Sequence, residues 1–135
     1  MVGHHAMAID MATMARERAT HKELKDLADY IIRTQSAEMD RMRKWLRDWY
    51  GRSVAEDHMG QHEDMQMLER AIGAEFEVRF MGMMSVHHTQ AIERATAMRR
   101  SRLHGQVRRL TRNIIRAQQR EIGELQEWLV AWFAV

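Results

Sequence analysis

Residues 1–12 read MVGHHAMAIDMA, and residues 84–95 read MSVHHTQAIERA. Each stretch has a Met, two spacers, a His-His pair, and Ala-Ile three and four residues after the second His. Laying His4 on His87, a shift of 83 positions, extends the match without a gap from Met1/Met84 to Tyr50/Phe133. Identical pairs run on through His21/His104, Leu27/Leu110, Ile31/Ile114, Gln35/Gln118, Glu38/Glu121, Trp45/Trp128 and Trp49/Trp132. An ungapped match of that length means two copies of one supersecondary unit. The chain of 135 residues is then one domain, with a first hairpin over 1–50, a Met/His-rich connector over 51–73 and a second hairpin over 74–135.

Each copy reads as two helices. Proline is absent, glycine is sparse, and the remainder is rich in Ala, Met, Leu, Arg, Glu and Gln, all good helix formers. In the first copy the pattern breaks near Ala19–His21, and a longer stripe follows: Leu24, Leu27, Ala28, Ile31, Met39, Met42, Leu46 and Trp49. Gly51 is placed to cap its C-terminal end. A short connector helix is expected over Glu63–Ile72, ended by Gly73, and a further helix from near Glu75. The fold class expected is all-α. Four apolar stripes are buried most simply in an up-down-up-down four-helix bundle made of two repeated hairpins.

Composition excludes several functions. With no cysteine, disulfides and thiolate metal sites are out. The net charge is +2, with arginines interleaved among acids, which gives little support to a nucleic-acid partner. The arginine run at 98–112 reads as a solvated helix face. No apolar run is long enough to span a bilayer, and residues 1–12 are not a signal peptide. No nucleophile constellation, phosphate-cradling loop or nucleotide fingerprint is present, so no enzymatic activity is expected.

The polar residues inside the stripe carry the chemistry. Gln35 and Glu38 share a face with Ile31 and Met42, and Gln118 and Glu121 repeat the arrangement between Ile114 and Leu125. A carboxylate facing a core is costly unless it is paired or binds a cation. Fifteen residues separate His5 from Thr20 at the turn, and fifteen more reach Gln35. Two helices rising equally from the turn therefore bring the His pair and the Gln-x-x-Glu pair to about one level, at the end away from the turn. The connector begins at that end. In its EDHMGQHEDMQM, His58, His62 and Met65 fall at i, i+4 and i+7, beside Met59 and Glu63, while Met81, Met84 and His88 form another row.

Thirteen methionines and eight histidines supply the donors. Imidazole with thioether suits Cu(I) and Ag(I), and imidazole with carboxylate suits Cu(II) or zinc. The candidate ligands are His4, His5, Met11, Glu38, Met42, His58, Met59, His62, Met65, Met81, Met84, His87, His88 and Glu121. Two other readings stand beside metal binding. One is a structural or interaction bundle in which the His-Glu pairs are buried hydrogen bonds. The other is a di-iron protein, disfavoured because no Glu-x-x-His occurs.

The motifs M-x-x-H-H-x-x-A-I, H-x-x-L-x-x-L-x-x-x-I-I-x-x-Q-x-x-E and G-x-x-F-x-x-x-F-x-x-M-M-x-x-H-H together resemble a bacterial family catalogued as domain of unknown function 305. The resemblance covers nearly the whole chain. It implies a ferritin-like helical fold and a periplasmic or extracellular protein that binds copper through Met and His, in sequestration, transfer or tolerance. It carries His4, His5, Gln35, Glu38 and Met42, and Met84, His87, His88, Gln118 and Glu121, as family positions. The metal ion is the implied partner, with a homodimer left open. The second copy has Phe76, Phe80 and Met81 ahead of its His pair, whereas the first begins abruptly, which reads as a trimmed start. Met11, Met14 and Met42 become Arg94, Ala97 and Leu125 in the second copy, so equal binding by the two halves is not expected.

Overall fold

A computed structural model describes residues 1–51, 62–99 and 104–134, with the side chains of 62–64 outside that set. Five helices and no strand occur among the described residues: α1 (Val2–Arg18), α2 (Lys22–Tyr50), α3 (His62–Arg70), α4 (Gly73–Arg99) and α5 (Gly105–Phe133). The all-α class with four long helices and one short connector helix is thus the observed one. The backbone falls into two compact units, Met1–Phe80 and Met81–Val135, divided within the continuous helix α4.

In the first unit α1 packs against α2. The buried face of α2 is a single stripe, Leu24, Leu27, Ala28, Ile31, Gln35, Glu38, Met39 and Met42, at the three- and four-residue steps of a helix. α1 is different. Every residue from His4 to Ala8 is buried, followed by Met11, Ala12 and Ala15. Ala8, Ala12 and Ala15 are small enough to let a neighbouring helix come close, so the helix is enclosed on more than one side. Gly51 ends α2 in the left-handed conformation (φ +62°), its N–H donating to the Arg47 and Leu46 carbonyls, as its position suggested.

The break between α3 and α4 lies one to two residues from where the sequence placed it. Ala71 and Ile72 are not helical, and Gly73 has φ +58°. A left-handed residue interrupts a right-handed helix wherever it stands, so α3 stops at Arg70 and α4 starts at the glycine.

The α1–α2 turn is held from α4. His21 and Thr20 each donate a backbone N–H to Glu77 Oε2 at 3.0 Å, and the His21 ring meets Glu77 Oε1 through Nδ1 at 2.8 Å. Glu77 is 1% exposed. It therefore supplies, from another helix, the N-terminal cap that His21 does not make for α2 itself. Arg18 closes the same corner by donating to the Glu69 carbonyl and lying over the Phe76 ring. Glu77→Ala leaves two backbone donors without a partner, at about 1–3 kcal/mol in total. Chemical denaturation is expected to show that loss, whereas the exposed neighbour change Glu75→Ala is expected to cost well under 1 kcal/mol.

The second unit repeats the first. The buried residues of α5, Leu110, Thr111, Ile114, Gln118, Glu121 and Leu125, are six of the eight α2 stripe positions moved by the repeat shift, with Val107 and Ile122 half-buried at the other two. The second half of α4 buries His87, His88, Ala91 and Ala95 where α1 buries His4, His5, Ala8 and Ala12. Arg108, Arg112, Arg116 and Arg120 line one outer face of α5 at four-residue steps and are exposed, which is the solvated face expected of the arginine run. Stacked indoles end both long helices: Trp45–Trp49 at 5.5 Å and Trp128–Trp132 at 5.2 Å between centroids. All four are half-buried and Tyr50 is exposed, so they sheathe the helix ends rather than close the core.

Candidate metal centre

Side-chain direction decides which groups meet. Helical Cα–Cβ bonds lean toward the helix N-terminus. On α1 that is away from the turn and on α2 it is toward the turn. A residue on α1 therefore meets one set slightly further from the turn on α2. His5 Nε2 bonds Glu38 Oε1 at 2.8 Å, and Glu38 lies one helical turn beyond the position that simple counting sets level with His5. His88 Nε2 bonds Glu121 Oε1 at 2.5 Å in the second unit, the same pair moved by the repeat. Both imidazoles are fully buried; the Glu38 side chain is 12% exposed and that of Glu121 is 4%.

The second histidine of each pair is therefore the one tied to the carboxylate. Its other ring nitrogen, Nδ1 of His5 and of His88, is buried with no hydrogen-bond partner, and so is Oε1 of Gln118. His4 and His87 are also buried but engage other contacts. Of the candidate thioethers, Met81 and Met84 are fully enclosed, Met11 and Met42 are buried, and Met65 is half-buried on α3. His58 and Met59 lie outside the described residues, as does the side chain of His62. Among the described residues no three His, Cys, Asp or Glu side chains come together as a metal site. Glu38 and Glu121 are each bonded through one oxygen to the histidine of their own unit.

The two pairs differ in their electrical surroundings. Residues 35–45 around Glu38 hold three basic and two acidic side chains, whereas 118–128 around Glu121 hold one basic and three acidic. Burial, and after it the Glu121 charge, pushes the Glu124 carboxyl above its ordinary value. The equivalent position in the first unit is Arg41. A carboxyl whose value is raised in the folded chain penalises folding when ionised and not when protonated. Glu124→Gln is therefore expected to stabilise the protein at neutral pH, with the gain vanishing as pH falls below the ordinary carboxyl value of 4.5. Urea midpoints of the two proteins at pH 7 and pH 4 test the sign.

A metal-binding His typically holds a carboxylate on one nitrogen and offers the other to the ion. A buried, unpartnered Nδ1 on a ring fixed through Nε2 fits that requirement, and in the second unit Met84 lies one turn earlier on the same helix face. Sequence reasoning missed Glu77, because nothing in the α1–α2 stretch signals a cap that arrives from α4.

No curated protein matches the chain. Crystal structures of CopM do: the Cu(II)-bound form at 34% identity and TM-score 0.89, covering 98% of this chain and 93% of that one. The Cu(I)-bound form matches with the same identity and TM-score over 98% and 92%, and an Ag-bound form over 98% and 91% at 0.88. A DUF305 protein from Streptomyces coelicolor, taken to be secreted, matches at 26% identity and TM-score 0.89 over 97% and 88%. The model of the domain of unknown function DUF305 matches residues 1–129. The chain belongs to the DUF305 family.

Proposed function

We propose that this protein binds copper, as Cu(I) and also Ag(I) or Cu(II), through imidazole and thioether groups at the end of each hairpin away from its turn. The observation that carries the reading is the buried, carboxylate-anchored imidazole with an unpartnered nitrogen, present once in each repeat. Thioethers are the complement within each unit: Met42 one turn after Glu38, and Met84 one turn before His88. Among the described residues no three His, Asp or Glu side chains group together, whereas a thioether lies one turn from a member of each pair. That favours a soft ion over zinc. CopM, a 34% identical structural relative, has structures in Cu(I)-, Cu(II)- and Ag-bound forms, which supports the same ligand class here.

The role is sequestration or transfer without catalysis, in the periplasm or outside the cell. In support of the location, the Streptomyces coelicolor relative is taken to be secreted. Anaerobic titration with Cu(I) against a chromogenic chelator, with Ag(I), Cu(II) and Zn(II) alongside, tests the proposal. Binding tighter than micromolar is expected for Cu(I) and Ag(I). Saturation at a hundredfold excess over Kd is expected to add about 2.7 kcal/mol to unfolding. Binding weaker than micromolar for all four ions would sink the reading.

A further inference from the structure

We infer that Glu38 and Glu121 are positioning residues that lock His5 and His88 in the tautomer protonated on Nε2, so that Nδ1 is the atom each ring presents to a soft metal ion. The ligating half of this inference rests on the copper reading, and the tautomer half does not.

Three protonation patterns compete at each ring. With the proton on Nε2, the ring donates to an ionised carboxylate, and Nδ1 is left as a lone pair. With the proton on Nδ1, the Nε2 lone pair needs a protonated carboxyl to donate to it, and Nδ1–H becomes a buried donor with no acceptor. With both protonated, the ion pair is kept, but the same orphan Nδ1–H remains. Orphaned buried N–H groups are rarer and costlier than acceptors that keep a spare lone pair. The first pattern alone leaves no donor unsatisfied, and it does so in both repeats.

That pattern leaves a neutral nitrogen with its lone pair free, which is the state a metal ligand must have. An imidazole in bulk water must be stripped of hydration before it can bind, whereas Nδ1 of His88 is already dry. Glu121 is the stronger partner of the two, being more enclosed than Glu38 and set among acids rather than bases.

The experiment is two-bond proton–nitrogen correlation NMR of the full chain labelled with nitrogen-15 in its histidines, with signals assigned through His5→Gln and His88→Gln. In metal-free protein the His5 and His88 rings are expected to show a protonated Nε2 and a pyridine-like Nδ1. Adding Ag(I) is expected to move the Nδ1 resonances of those rings and leave Nε2 protonated. Glu121→Leu is expected to let His88 populate both tautomers and to weaken Ag(I) binding at that ring by about 10–100-fold. Glu121→Gln, which keeps an acceptor oxygen, is expected to restore most of both.

Metal-free rings protonated on Nδ1, or on both nitrogens, overturn the tautomer. Ag(I) that binds without moving either Nδ1 overturns the ligating role and leaves the copper reading standing. No binding of Ag(I) or Cu(I) at all overturns the copper reading and the ligating role together. The tautomer is still decided by the metal-free spectrum.

Discussion

His88→Ala is expected to be the most destabilising single substitution in this protein, at about 3–5 kcal/mol. Truncation removes a fully buried ring and leaves the Glu121 carboxylate, 4% exposed, without its partner. A buried carboxylate that loses the N–H donated to it loses what offset its desolvation, and Glu124 one turn away offers no relief, since it is itself held above its ordinary value in part by Glu121. Against a typical total of about 5–15 kcal/mol, a loss of that size leaves the variant marginal. His5→Ala is expected to cost less by about 1 kcal/mol or more, because the Glu38 carboxylate keeps more solvent access than that of Glu121. Urea unfolding followed by far-ultraviolet circular dichroism ranks the two. Equal costs would mean that the difference in surroundings has no energetic consequence.

That ranking is not visible in the repeat itself, which presents His5/Glu38 and His88/Glu121 as equivalents. Much else is visible. A period of 83 residues, an absence of proline and a glycine after Tyr50 are enough to give two helical hairpins and the end of α2. Gln-x-x-Glu inside an apolar stripe marks a buried carboxylate because a helix cannot turn one stripe position to solvent without turning its neighbours too. Level-counting from the turn then sets Gln35 opposite His5, one helical turn short of the Glu38 that bonds it.

What counting cannot supply is the choice within each pair. Both histidines are buried, and adjacent residues on a helix point about 100° apart, so which of the two faces the carboxylate is set by how the helices are rotated against each other. Glu77 was illegible for a different reason. Its partners are two backbone amides and a ring some 56 residues earlier, and an amide leaves no signature in a sequence. α1 was under-read because a helix enclosed on several sides has no polar stripe to set its period against, and its run of Met and Ala is then equally compatible with packing or with ligation.

His88→Leu combined with Glu121→Leu separates those two possibilities. Removing both partners of a buried polar pair avoids the orphaned charge that makes the single change so costly, and apolar replacement of such pairs ranges from neutral to stabilising by about 1–4 kcal/mol. The double variant is therefore expected to match or exceed the wild type in urea midpoint, although His88→Ala is the most damaging change made at the same site. If the His-Glu pairs exist only to hold the core, nothing else should change. If they exist to present a nitrogen, the second unit should lose its Cu(I) or Ag(I) while the first unit, with His5, Glu38 and Met42 untouched, retains its own. Metal-to-protein stoichiometry after dialysis against a weak competitor reads this directly. A double variant that is both as stable and as metal-loaded as the wild type would leave the pair a packing role that leucine fills equally well and would remove it from the metal site. One that is unstable would mean that the leucines do not fill the space of the ring and carboxylate, and the volume-matched His88→Phe with Glu121→Met then decides between the two. Conserved stability with a lost metal would show that this buried polar pair is retained for its ligand chemistry rather than for the fold.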